Sequence, residues 1–248
     1  MQGRTDYTTG TLVLRIINES DADLELDGAA LTWTGFAENA VWERGTTIRA
    51  GLTVDLRTPV PAMECDNDGD SAPTADLGVV DDDRTATVTA DVTDPLSTLD
   101  RLHEAGCIAE QVERVADITV GSPAVEGEGR SAVAVVPLTF TPTGADGRVE
   151  VSAVSATPLL QPAPATSPNT DAWPLELAVD ATSGTVTAEL RIVPTRCDPH
   201  ALAEDKVGTV LNLAVSLAGD QTGDYQLVPP DGIREAILDY VRVTCGLS

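Results

Sequence analysis

Four cysteines divide this chain of 248 residues into two comparable halves. "VDLRTPVPAMECD" at 54–66 and "AELRIVPTRCD" at 188–198 each run Leu-Arg, a proline-bearing exit and then Cys-Asp. "LSTLDRLHEAGC" at 96–107 and "REAILDYVRVTC" at 234–245 each carry a Leu-Asp pair shortly before a cysteine. Cys65 therefore matches Cys197, and Cys107 matches Cys245. Four cysteines allow three pairings, and the repeat selects the one inside each half: Cys65 with Cys107 and Cys197 with Cys245. Such a bond closes a long loop in each half and, by the chain-entropy account, contributes about 4 kcal/mol. It also needs an oxidising compartment, so the protein is expected outside the cytoplasm, secreted or anchored at the cell surface.

Between the cysteines the pattern is one of short strands. "TLVLRIINESDADLELDGAALT" (11–32) and "VVPLTFTPTGADGRVEVSAVSAT" (135–157) are each two alternating runs around a polar turn, which predicts a hairpin in each half. Further strand-like runs are "TTIRAGLTVDL", "RTATVTADV", "WPLELAVD", "GTVTAELRIV" and "GTVLNLAVSLAG". "VERVADITV" (112–120) reads as another. Trp42 and Trp173 both precede the strand that runs into Leu-Arg, which predicts a shared core position. Asp94 before Pro95, and Asp231 before "GIREAILDYV", are plausible caps for one short helical stretch in each half. The proline-rich "QPAPATSPNTDAWP" (161–174) has no counterpart in the first half and is expected as an exposed, extended loop. Strands at short spacing with Gly, Pro and Asp turns predict an all-β chain of two β-sandwich domains in tandem, residues 1–112 and 113–248.

Hairpins of the form "LRIINESDADLELDGAALT", where a strand ends in Asn and a polar turn before the next strand, resemble those of immunoglobulin-like or fibronectin-like modules in bacterial cell-surface proteins. The resemblance spans both halves. It implies an immunoglobulin-like fold for each domain and a cell-envelope setting, and it implies no activity.

The charge narrows the partners. Forty acidic residues against 15 basic ones give a formal net charge of −25. Nucleic acid is not an expected partner, because affinity for phosphate backbones comes largely from Lys and Arg. Anionic lipid is disfavoured by the same charge. No stretch approaches the roughly 18 apolar residues of a membrane span, and "MQGRTDYTTG" has no apolar core of a signal peptide. Membrane attachment is therefore expected only through an N-terminal anchor removed from the sequence. The expected partner is a protein or a cell-wall component.

Three stretches compete for a binding role. In "VPTRCDPHALAEDK" (193–206), His200 and Glu204 share a face if a helical turn forms and could join a zinc site. The alternative is a surface turn, with Asp198 and Pro199 opening it. Asp66, Asp68 and Asp70 in "DNDGDSAPTAD" have the spacing of the first calcium ligands of an EF-hand, after which Ser71 and Leu77 break the pattern. A solvated loop is the alternative there. "WTGFAENAVW" (33–42) offers Trp33 and Phe36 either as an exposed aromatic platform for a sugar or a partner, or as core residues.

No nucleophile elbow, phosphate loop or HExxH is present, and no cofactor is implied. The expected function is non-catalytic: a spacer, scaffold or binding module of the envelope. A calcium- or zinc-dependent binding module and a hydrolytic enzyme with an interdomain cleft are the competing expectations.

Overall fold

The computed structural model describes residues 10–81, 84–163, 171–199, 202, 207–218 and 221–247. The chain is mostly β and divides into two compact units, Met1–Cys107 and Ile108–Ser248.

In the first unit, β1 (Thr11–Ile17) pairs antiparallel with β5 (Thr53–Pro59) in a two-stranded sheet. The second sheet runs β3 (Ala40–Trp42), β2 (Leu24–Thr32), β6 (Thr74–Asp81), β7 (Arg84–Asp91), with β4 (Thr46–Ile48) also on β2. Ile16 and Leu56 from the first sheet pack with Leu26, Ala29 and Ile48 from the second, so the sheets share a core. A second cluster joins Leu12, Leu31, Trp33, Phe36 and Ala40 to Leu99 and Leu102 of helix α1 (Thr98–Val115).

In the second unit, β12 (Leu160–Pro162), β14 (Val186–Pro194), β10 (Val133–Pro142) and β8 (Ala116–Val120) form one sheet, with β9 (Ala124–Glu126) also on β10. β13 (Ala172–Asp180), β11 (Arg148–Ser155), β15 (Leu211–Leu217) and β16 (Thr222–Leu227) form the other. Phe140, Leu138, Leu190, Leu213 and Val149 fill the core, all fully buried, and Ile237, Tyr240 and Val241 of α2 (Asp231–Cys245) close it.

A common order of pairing runs through both units, to which the second adds β8 and β9 on β10 and β12 on β14. β1 with β5 corresponds to β10 with β14. β2 with β3, β4 and β6, then β6 with β7, corresponds to β11 with β13 and β15, then β15 with β16. Even the irregularity recurs: β2 shifts register between Leu26 and Gly28, and β11 between Val151 and Ala153. Trp42 pairs with Ala29 and Trp173 with Val154, at the same distance past that shift. Trp173 is buried and donates its indole N–H to the Arg191 carbonyl at 3.0 Å, whereas Trp42 is half-buried.

Four expectations are corrected. The runs at 11–32 and 135–157 are not hairpins, because their two strands belong to opposite sheets: β1 pairs with β5 and β10 with β14, never with β2 or β11. The turn between β1 and β2 is a crossing, held by buried Asn18, whose amide donates to the Ala22 and Ile48 carbonyls at 2.9 Å each. Val112–Val115 complete α1 and do not begin a strand, since Ile108, Val112 and Val115 recur at helical spacing and face one core. The helices are 18 and 15 residues, not short stretches. Of the proline-rich segment, 161–163 and 172–174 lie in or beside strands, with Pro162 and Ala163 buried, and 164–170 fall outside the described residues.

Candidate functional site: two disulfide corners and a groove

Both cysteine pairs are bonded as the repeat requires. Cys65–Cys107 has a Cα separation of 5.5 Å and Cys197–Cys245 one of 5.2 Å. Each joins the segment leaving a strand, β5 or β14, to a helix. The corners differ in detail: α1 continues eight residues past Cys107, whereas α2 stops at Cys245, where Gly246 adopts the left-handed conformation (φ 66°) that caps a helix.

At the first corner Trp33 is the centre of a packed cage. Its ring meets Phe36 edge-on at 5.1 Å and the His103 ring at 5.7 Å. Gly35 and Gly69 press on it so closely that a Cβ at either would lie 2.2 Å or 2.5 Å from a ring atom. His103 Nε2 stands 3.0 Å from the Glu64 carbonyl and 3.7 Å from Cys107 Sγ, which ties the imidazole to the disulfide corner. The acidic loop is the outer wall. Gly69 N–H is received by Asn67 Oδ1 at 2.9 Å, and the Ser71 and Thr34 hydroxyls meet at 2.8 Å.

This geometry corrects the aromatic platform. Trp33 and Phe36 are 5% and 6% exposed, and rings without free faces cannot stack on a sugar. Asp66, Asp68 and Asp70 are exposed side chains on a loop shaped by its contact with Trp33. Among the described residues no three carboxylate, imidazole or thiolate groups gather to hold a metal. His200 and Glu204 lie outside the described residues. Among the described residues no helix is long and apolar enough to cross a membrane.

Asp94 organises the start of α1. Burial raises its pKa, but hydrogen bonds from the Leu99 and Thr98 N–H groups, the Thr98 hydroxyl and the Leu96 N–H outweigh that and hold it below the ordinary carboxylate range. The Leu99 bond is 2.7 Å long. The stability it contributes is therefore present at neutral pH and is lost as pH falls through the lowered folded pKa, below about 4. Asp94→Ala should cost about 1 kcal/mol at pH 7, and the gap between mutant and parent melting temperatures should narrow in acid. A gap independent of pH would contradict this role.

In the second unit Tyr225 donates to Glu113 Oε1 at 3.3 Å. Burial first, and then the Glu113 charge, push its phenol up to about 12. The Tyr240 hydroxyl lies 2.9 Å from the Ala132 carbonyl and 3.0 Å from that of Ile192, fastening α2 to β14 and to the residue entering β10.

The feature that sequence patterning does not reveal is a groove of about 510 Å³ in the first unit. Its lining includes Leu12 to Ile17 of β1, Leu77 of β6, Ala90 of β7 and Leu96 before α1. Among the described strands β1 pairs with β5.

No family model matches the chain, and no curated protein matches it. Among solved structures it is similar to a red sea bream transglutaminase, with 13% identity and a TM-score of 0.22 over 89% of this chain, which spans 29% of that one. A YadV chaperone gives 10% identity and a TM-score of 0.22, covering 88% of this chain and 92% of that one. Likeness at this level identifies neither a family nor an activity for the chain.

Proposed function

We propose that this chain is a non-catalytic, extracytoplasmic module of the bacterial cell envelope, in which two disulfide-stapled immunoglobulin-like β-sandwiches in tandem space, scaffold or bind. The observation that carries the proposal is that each unit bonds its own two cysteines. A protein kept in a reducing cytoplasm does not retain such bonds, whereas secreted domains do. The shared order of pairing supports the duplicated module. In each unit two antiparallel sheets face one another and the chain crosses between them from β1 to β2 and from β10 to β11, which is in keeping with a Greek-key sandwich. The fold supports no chemistry by itself, and the motifs of hydrolysis and phosphoryl transfer are missing from the sequence.

Mapping of unreduced proteolytic peptides tests the proposal in protein taken from its own cells. Peptides joined through Cys65–Cys107 and through Cys197–Cys245 are expected. Free thiols in that material would remove the extracytoplasmic placement.

A further inference from the structure

We infer that Cys65–Cys107 is an exchangeable bond, which a dithiol partner opens while the unit stays folded, and that His103 assists the departure of Cys107. Cys197–Cys245 is then the permanent staple. The inference goes beyond the envelope proposal, and its test on purified protein does not read compartment.

The two corners differ at one position of the helix. His103 and Cys107 are four residues apart on α1, which places both side chains on one face, and His103 Nε2 lies 3.7 Å from Cys107 Sγ. Four residues before Cys245 the chain has Val241, 1% exposed. The same Nε2 stands 3.0 Å from the Glu64 carbonyl, which can only accept, so this nitrogen carries a hydrogen. An N–H donor therefore stands beside one sulfur of the first bond.

Burial decides which sulfur is attacked. Cys107 and Cys245 are buried, whereas Cys65 is half-buried and Cys197 exposed. An external thiolate thus attacks Cys65 or Cys197, and the buried cysteine leaves. Apolar surroundings disfavour a thiolate and a hydrogen-bond donor favours it, and the more stable thiolate departs faster. Cys245 would depart among Leu211 and Ile237, Cys107 toward the His103 N–H.

The exchange has two steps. In the first, one thiolate of the dithiol bonds to Cys65 Sγ, the Cys65–Cys107 bond breaks, and its electron pair leaves on Cys107 Sγ, to which His103 Nε2–H donates. In the second, the dithiol's other thiolate attacks its fellow sulfur in the mixed disulfide and releases Cys65. The dithiol is oxidised to a disulfide by loss of two electrons, the two cysteines are reduced by the same two, and the dithiol's two protons finish on Cys65 and Cys107.

The corner has other ties than the bond. Glu64 N–H donates to the Gly35 carbonyl at 3.0 Å and Ala37 N–H to that of Ala62 at 2.9 Å, and Phe36 bridges to Met63. Gly106 lets Met63 lie close on α1, since a Cβ there would stand 2.5 Å from Met63 Cγ. The two sulfurs therefore stay near one another after reduction, and oxidation can restore the bond.

Exposed Asp66, Asp68 and Asp70 follow Cys65 and repel an acidic thiol, so the probe is the uncharged dithiol dithiothreitol. It is added to the folded, oxidised protein, and free thiols are trapped by alkylation over time and located by peptide mapping. Cys65–Cys107 is expected to open about tenfold faster than Cys197–Cys245 despite the greater exposure of Cys197, at a rate proportional to probe concentration. His103→Val, which gives the first corner the residue of the second, should slow its opening about tenfold. His103→Gln restores an N–H donor and should recover part of the rate. A His103 that only braced the Trp33 cage would act in the opposite sense, because loosening the corner exposes the bond. Opening of Cys197–Cys245 as fast or faster, opening of both bonds at a rate independent of probe concentration, or a His103→Val rate unchanged or raised would each overturn the inference.

Discussion

Replacing both Cys197 and Cys245 by alanine is expected to lower the melting temperature by roughly 10 °C or more. The bond spans 48 residues, and releasing a loop of that length returns about 4 kcal/mol of entropy to the unfolded chain. Alanine suits the buried end of the bond because Cys245 sits 3% exposed beside Leu211 and Ile237 in one core, where a serine hydroxyl would lack a partner. Calorimetry of the oxidised parent and the double mutant measures the difference. The fold should survive, because Tyr240 still fastens α2 through two carbonyls and Ile237 and Val241 remain in the core. A change of a degree or two would show that α2 is held by packing alone and that the bond is incidental to stability.

Trp33→Ala is expected to cost about 3–5 kcal/mol, read as a fall in denaturant midpoint. The ring is the common contact of Phe36, His103, Gly35 and Gly69, so its removal leaves a void bordered by two glycines that bring no side chain to fill it. The loss should extend to the acidic loop, whose Gly69 is shaped against the ring, and appear as faster exchange at Gly69 and Ser71. Trp33→Phe should recover part of the stability. An alanine variant as stable as the parent would return Trp33 to the role of an exposed binding residue.

Local chemistry made the staples readable: a cysteine position does not depend on which strands pair, so comparing the halves was enough to match all four. Asp94 and Asp231 also marked helices, although Asp231 is the first helical residue, with Pro230 before it. Alternation failed for a physical reason. It records which side chains face a core, as at Leu12 and Leu26, but a strand pair and a crossing between facing sheets give the same pattern. The pairings of β1 with β5 and β10 with β14 are contacts between distant residues, and nothing local encodes them. For Val112–Val115 the signal existed in the helical spacing from Ile108. Trp33 was legible only through its neighbours, since Gly35 and Gly69 are the mark of a bulky ring pressed on backbone. The groove lay beyond sequence because its lining comes from β1, β6, β7 and the segment before α1, which only the tertiary fold brings together.

The opposite border of the first unit carries a quieter consequence. Among the described residues β7 is the last strand of its sheet, and all but one of its residues are exposed. Threonines alternate along its outer face, Thr85 reaching Asp27 and Thr89 reaching Asp76, with Arg84 and Asp91 at its ends. Hydroxyls already committed to carboxylates offer little to an approaching sheet, and the dense negative charge around them repels a like molecule. Colloidal restraint is thereby built into this border of the unit.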